Sequence, residues 1–157
     1  MLRSNRNRAQ HVLNLISESV SFIKPEGRGE HDEVLSQIKA HKSGEISLKP
    51  PIYKHLQHLS DPKNYDKALA SSRMEKYTPE KVRRVENTDA AIKGSFTSLE
   101  PEKQGHVKAA YKNGTVTTPL ILRHKETGHE HLLFGNTRLT YGLQKKKKPV
   151  SVSVVEY

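Results

Sequence analysis

Residues 129–157 read HEHLLFGNTRLTYGLQKKKKPVSVSVVEY, with FGNTRLTYG (134–142) at the centre. Around that centre the periodicity changes twice. His131–Phe134 is an apolar run that predicts a strand, and Gly135 breaks it. Arg138–Gln144 predicts a helix, because Leu139 and Leu143 share one face. Lys145–Lys148 and Pro149 end that helix. In PVSVSVVEY, Val150, Val152 and Val154 alternate, which predicts a closing strand. Upstream, Thr118–Arg123 (TPLILR) reads as a short buried strand and Lys125–Gly128 (KETG) as a hairpin turn. Before these, Leu99-Glu100-Pro101-Glu102 opens a helix that Asn113-Gly114 closes with a left-handed cap. The order is helix, strand, turn, strand, Gly-polar-Arg turn, helix, strand.

The front of the chain is less regular. Val12, Leu13, Leu15, Ile16, Val20 and Ile23 recur at near-helical spacing, which predicts an amphipathic helix over His11–Ile23, stopped by Pro25. Polar residues interrupt the apolar stretch and no small-residue cleavage site follows, so a signal peptide is not expected. A second short helix is predicted over His31–His41. EISLKPPIY (45–53) begins with alternation and then meets two prolines, which predicts an edge strand or an extended connector. Residues 54–78 show no clear element: SDPKNYD is turn-like, and the stretch, rich in Lys, Ser and Tyr, reads as a mobile insertion. Thr78-Pro79-Glu80 is a helix start, and Val82, Val85 and Ile92 predict a helix over 79–93. The expected fold class is α+β: a small mixed sheet with packed helices, in a domain over 45–157 that carries an N-terminal helical extension over 1–44.

Composition narrows the chemistry. The chain has 157 residues, a net charge of +10 and a pI of about 9.8. Such a surface favours polyanions by electrostatics and counterion release, nucleic acid first among them. The mean hydropathy of −0.77 is low for a compact fold, so part of the chain is expected to add little to the core. There is no cysteine, which removes disulfides, thiolate metal sites and cysteine nucleophiles and suits the cytoplasm. No apolar run approaches the ~20 residues that span a bilayer, so no membrane partner is expected.

Gly135–Arg138 has two readings. It is a turn that grips a phosphate, or a plain strand-to-helix turn with a surface arginine. Charge, turn chemistry and element order favour the first. A helix N-terminus offers free N–H groups and a positive dipole end. Glycine lets the backbone come close, and arginine holds two phosphate oxygens at once. Thr140 could reach a phosphate from the first helical turn. Glu86 and Asp89, on one face of the predicted 79–93 helix, are the candidate catalytic acids, suited to act as base or as ligands of Mg²⁺. Arg83, Arg84 and Lys145, Lys146, Lys147 and Lys148 are candidate nucleic-acid contacts, the lysines because they lie near the proposed phosphate turn in sequence. His129-x-His131 and His55-x-x-His58 lack a further ligand at suitable spacing, so no metal centre is assigned to them.

Over residues 98–156 the succession helix, TPLILR, HLLFGNTRLTYG, KKPVSVSVV resembles the ParB/sulfiredoxin-like superfamily. The resemblance implies that the Gly-x-x-Arg turn receives the phosphates of ATP, ADP or CTP. Gly135 would allow the close turn, Asn136 and Thr137 would supply N–H groups, and Arg138 the cation. It also implies limits. Sulfiredoxins carry a cysteine in this turn, where Asn136 and Thr137 stand here. Free serine kinases of this fold place an Asp before the glycine, where Phe134 stands. No helix-turn-helix follows the last strand in this sequence, so centromere-type DNA reading is not expected. The resemblance suits a phage or mobile element. The expected function is a nucleotide-dependent phosphotransferase or NTPase acting on or near nucleic acid. The alternatives are a non-catalytic DNA- or RNA-binding module contacting backbone phosphates, and a ParB-like metal-dependent nuclease.

Overall fold

The computed structural model describes residues 20–25, 30–86 and 99–157. They form a mixed α and β structure with six helices and a five-stranded mixed sheet. In chain order the elements are β1 (Ser21–Ile23), α1 (Asp32–Ser43), α2 (Pro50–Leu59), α3 (Pro62–Ser71), β2 (Arg73–Tyr77), α4 (Pro79–Val82) and β3 (Val85–Glu86). Then follow α5 (Pro101–Asn113), β4 (Thr115–Thr117), β5 (Leu120–Arg123), β6 (Glu130–Phe134), α6 (Asn136–Gln144) and β7 (Val150–Glu156). The large sheet runs β2-β7-β5-β6-β3. The β2–β7 and β5–β6 pairs are antiparallel, while β7–β5 and β6–β3 are parallel. β1 and β4 pair in parallel as a separate two-stranded sheet.

The central strands are covered on both faces, which is why β5 reads as a continuous apolar run. On one face α1, α2 and α3 contribute Val34, Ile52, Leu56 and Leu69 against Leu122, Leu133 and Val155. On the other, Val82 of α4 and Leu139 and Leu143 of α6 pack on Ile121, Leu132 and Val152. The sheet curls strongly. Tyr77 on β2 donates a hydrogen bond to Glu130 on β6, across the two strands that lie between them. Arg123 on β5 binds both carboxylate oxygens of Glu75 on β2, at 2.8 and 2.9 Å.

Several expectations are corrected. Ser21–Ile23 are strand, not the end of a helix; residues 11–19 lie outside the described residues. Phe22 packs edge-on against Tyr111, and the Thr118 N–H donates to the Ile23 carbonyl at 2.8 Å. Pro25 disfavours helical geometry at Lys24, and the β4 edge offers the partners that β1 takes. Next, residues 50–59 are helix rather than edge strand or connector. Pro50 and Pro51 occupy the first helical positions, where a missing N–H is harmless, and Lys49 is extended as a residue before proline must be. The prolines start an element instead of stopping one. Residues 62–71, within the stretch read as a mobile insertion, are likewise helical, capped by the Asp61 carboxylate at 2.9 Å from the Lys63 N–H.

Finally, the helix expected over 79–93 lasts only to Val82. Thr78 and Pro79 do open it, and the Thr78 hydroxyl accepts from the Lys81 N–H. The chain then extends, because Val85–Glu86 pair with the edge of β6 and meet backbone groups that would otherwise lack partners. The helix expected from Arg138 begins earlier, at Asn136, directly after Gly135. Helix α1, in the segment expected to be an extension, buries Val34 in the core and reaches β6 through Gln37.

Candidate phosphate site and the opposite end of strand β6

Strand β6 ends at Phe134, and Gly135 turns the chain into α6 with φ 94° and ψ 17°. That left-handed geometry suits glycine. Space demands it too. A Cβ added at Gly135 would lie 2.6 Å from both Cα and Cβ of Pro119, and 3.1 Å from Arg138 Nη2. The proline of TPLILR therefore forms the floor of the turn, and the arginine lies over it. Gly135 brings no side chain to cap the first helical turn, whose N–H groups have no partner within a helix.

Arg138 is held on several sides. Its Nη2 donates to Glu30 Oε1 at 2.8 Å, and its guanidinium carbon lies 5.7 Å from the centre of the Phe134 ring. The Tyr111 hydroxyl approaches the Arg138 carbonyl at 3.4 Å. The Arg138 Nε is buried and has no hydrogen-bond partner among the described residues. A carboxylate oxygen thus already engages the guanidinium through Nη2, apart from the unsatisfied Nε. Thr140 lies behind the turn. It is fully buried, and its hydroxyl points to Asn136 Oδ1 at 3.4 Å. Its visible task is to hold Asn136.

The other end of β6 carries a second polar cluster. Glu86, opposite His131 in the β3–β6 register, lies 3.1 Å from Lys49 Nζ and 3.0 Å from His129 Nε2. The His129 contact has the distance of an ion pair but not the angle of a hydrogen bond. His129 chiefly holds the Glu86 carboxyl below the usual carboxylate range; burial opposes it, and Lys49 adds to the lowering. A carboxylate so stabilised is a weak base. Beside it a cavity of about 170 Å³ is lined by Lys49, Glu86, His129 and His131 together with Leu48 and Ile52.

His131 is buried, and burial first, then neighbouring His129, lowers its pKa to about 4. It faces Gln37 Oε1 at 2.9 Å, while Gln37 Nε2 donates to the Leu133 carbonyl at 2.8 Å. That second bond fixes the amide, so His131 Nε2 carries the proton. Glu86 is about four β6 residues from Gly135, roughly 13 Å along a strand. The structure therefore separates it from the turn. Asp89 lies outside the described residues.

The basic candidates are exposed. Arg83 and Arg84 follow α4 at the surface. Lys145–Lys148 fold back on the end of α6, with the N–H groups of Lys145 and Lys146 on the Tyr141 carbonyl and that of Lys148 on Gly142. They complement the negative end of the helix dipole. The length of α6, roughly 13 Å for its nine residues, parts them from the Gly135–Arg138 turn. Nearness in sequence is thus not nearness in space. Among the described residues no group of three or more His, Asp or Glu side chains is arranged to hold a metal ion, and no helix is long and apolar enough to cross a membrane.

Glu30 is the residue that sequence reasoning missed. It stands 108 positions from Arg138, and no local pattern marks the pairing. Comparison with known proteins gave no match to a protein family, a curated protein or a solved structure.

Proposed function

We propose that this chain is a nucleotide-binding protein of the ParB/sulfiredoxin-like type. It receives the phosphates of ATP, ADP or CTP at Gly135, Asn136, Thr137 and Arg138. The observation that carries this reading is the Gly135–Arg138 turn itself. It has a backbone left bare because no Cβ fits, a helix N-terminus, and a guanidinium already engaged with an oxyanion. The succession of hairpin, Gly-x-x-Arg turn, helix and closing strand supports the same reading.

The reaction proposed is hydrolysis or transfer of a phosphoryl group with Mg²⁺. Such chemistry rests on positioning and charge more than on covalent participation by the protein. The exposed basic residues Arg83, Arg84 and Lys145–Lys148 support nucleic acid as partner or acceptor, at a surface apart from the turn.

Titration of ATP, ADP and CTP by calorimetry, with and without Mg²⁺, tests the site. Binding is expected in the wild type, and Arg138→Ala should weaken it about tenfold or more, the scale of a lost charge-assisted bidentate contact. Equal affinity in wild type and variant would refute the assignment. Duplex and single-strand binding across a salt series tests the second surface, where neutralising the four lysines should flatten the salt dependence.

A further inference from the structure

We infer that the Lys145–Lys148 turn seats a phosphodiester of a nucleic-acid backbone, with the N–H and ammonium of Lys147 at its centre. This inference rests on the nucleic-acid reading above and is independent of the Gly135 turn. Lys147 has a φ of 53°, and every other described residue with a positive φ is a glycine. A side chain in that region strains the backbone. Lys147 returns nothing for the strain within the fold. It is exposed, and neither its N–H nor its ammonium has a partner among the described residues. The neighbouring N–H groups are engaged: those of Lys145 and Lys146 with the Tyr141 carbonyl at 2.9 and 3.1 Å, and that of Lys148 with Gly142 at 3.2 Å. These bonds pin the turn to α6, and Pro149 restricts Lys148 as the chain enters β7. One bare N–H is thus presented on a fixed backbone among four exposed lysines.

Two structural accounts of the lysines fall short. The C-terminal end of a helix dipole is worth about half a negative charge, and four positive charges stand there. The same surplus outweighs the repulsion of an anion by that dipole. Protection of a bare strand edge does not apply either, since β7 lies between β2 and β5. A backbone N–H beside cations fixes a protein on a phosphate oxygen. Consecutive lysines then meet the phosphates on either side, which a small free anion lacks. The four side chains bring no hydrogen-bond acceptor and no aromatic ring, so the turn follows the backbone and does not read bases. The pinned geometry lowers the entropy lost on binding.

The test measures binding of a short mixed-sequence duplex by fluorescence anisotropy across a salt series, beside urea unfolding of each variant. Lys147→Gly should weaken duplex binding about fivefold to tenfold at low salt and reduce the salt slope by close to one, the signature of a lost phosphate contact. Its urea midpoint should rise, because the strain is relieved. Lys145→Ala, Lys146→Ala and Lys148→Ala should each weaken binding by only about twofold to threefold, the scale of a diffuse charge. Lys147→Asn, neutral and tolerant of left-handed geometry, should match the glycine variant and serves if that variant does not fold. Equal losses at all four positions, or wild-type affinity in Lys147→Gly and Lys147→Asn, overturn the role of Lys147 and leave nucleic acid as partner. A lowered urea midpoint in both variants overturns the strain argument and this inference with it. Tighter binding to vesicles of equal parts phosphatidylserine and phosphatidylcholine than to duplex, with the same dependence on Lys147, overturns it in favour of a membrane surface. Absence of salt-dependent duplex binding in the wild type overturns the nucleic-acid reading as well.

Discussion

The two ends of strand β6 make an instructive pair. Each sets a carboxylate against basic side chains: Glu30 against Arg138 at one end, Glu86 against Lys49 and His129 at the other. At the Gly135 end the arginine is largely buried and a helix begins directly after a glycine in left-handed geometry. At the His129 end the carboxylate is half exposed, and the helix that begins beside it after Lys49 opens with two prolines, which bring no N–H groups. The charges are alike at the two ends. What differs is the backbone beneath them, and the binding proposed for the Gly135 turn rests on that difference.

The largest expected effect tests that backbone. Gly135→Ala should cost about 2–5 kcal/mol, from the left-handed φ together with the overlap with Pro119. Gly128→Ala, at φ 73° with nothing near the added carbon, should cost about 1–2 kcal/mol. Denaturant midpoints of the two variants give the comparison. Equal losses would mean that the close approach of Pro119 contributes nothing.

The second effect belongs to the other end. His131 stays neutral in the folded protein down to about pH 4, while an unfolded histidine takes its proton near 6.5. Between those values the unfolded chain binds more protons. Stability is therefore full above about pH 6.5 and falls as the pH drops towards 4, by on the order of 3 kcal/mol. His55, also lowered to about 4 by burial and by His58, acts in the same direction. Urea titrations across this range should show the slope, and His131→Gln should reduce it by one proton. A flat profile would remove the neutral, buried histidine from the account.

The smallest effect is expected at Glu86. Glu86→Gln breaks a contact that is half exposed, so the stability loss should stay within about 0.5 kcal/mol. Nucleotide affinity should be unchanged. A loss of nucleotide turnover in this variant would move the chemistry to the His129 end and dissolve the contrast drawn between the two.

How much of this was legible in the sequence differs between segments. The C-terminal elements were, because a hairpin, a glycine break and an alternating valine strand are local patterns that the packing then reinforces. Pro50-Pro51 misled because proline punctuates in both senses: it forbids the interior of a helix and favours its first turn. Val82 and Val85 fit a helical face, but the bare edge of β6 decided the matter, and an edge lies outside any local window. At the site, Gly135 and Arg138 stood out by type and spacing. Glu30 did not, since only the packing of α1 on the sheet brings it there.

The bridges from α1 have a consequence for assembly in time. Gln37 meets Leu133 and His131 across 96 and 94 positions, and Glu30 meets Arg138 across 108. Contacts this remote demand closure of most of the chain before they return any stabilisation, and they set a slow pace for folding. The hairpin and α6 can form early from neighbouring residues. The turn then exists before its acidic partner arrives, with Arg138 uncovered until α1 docks.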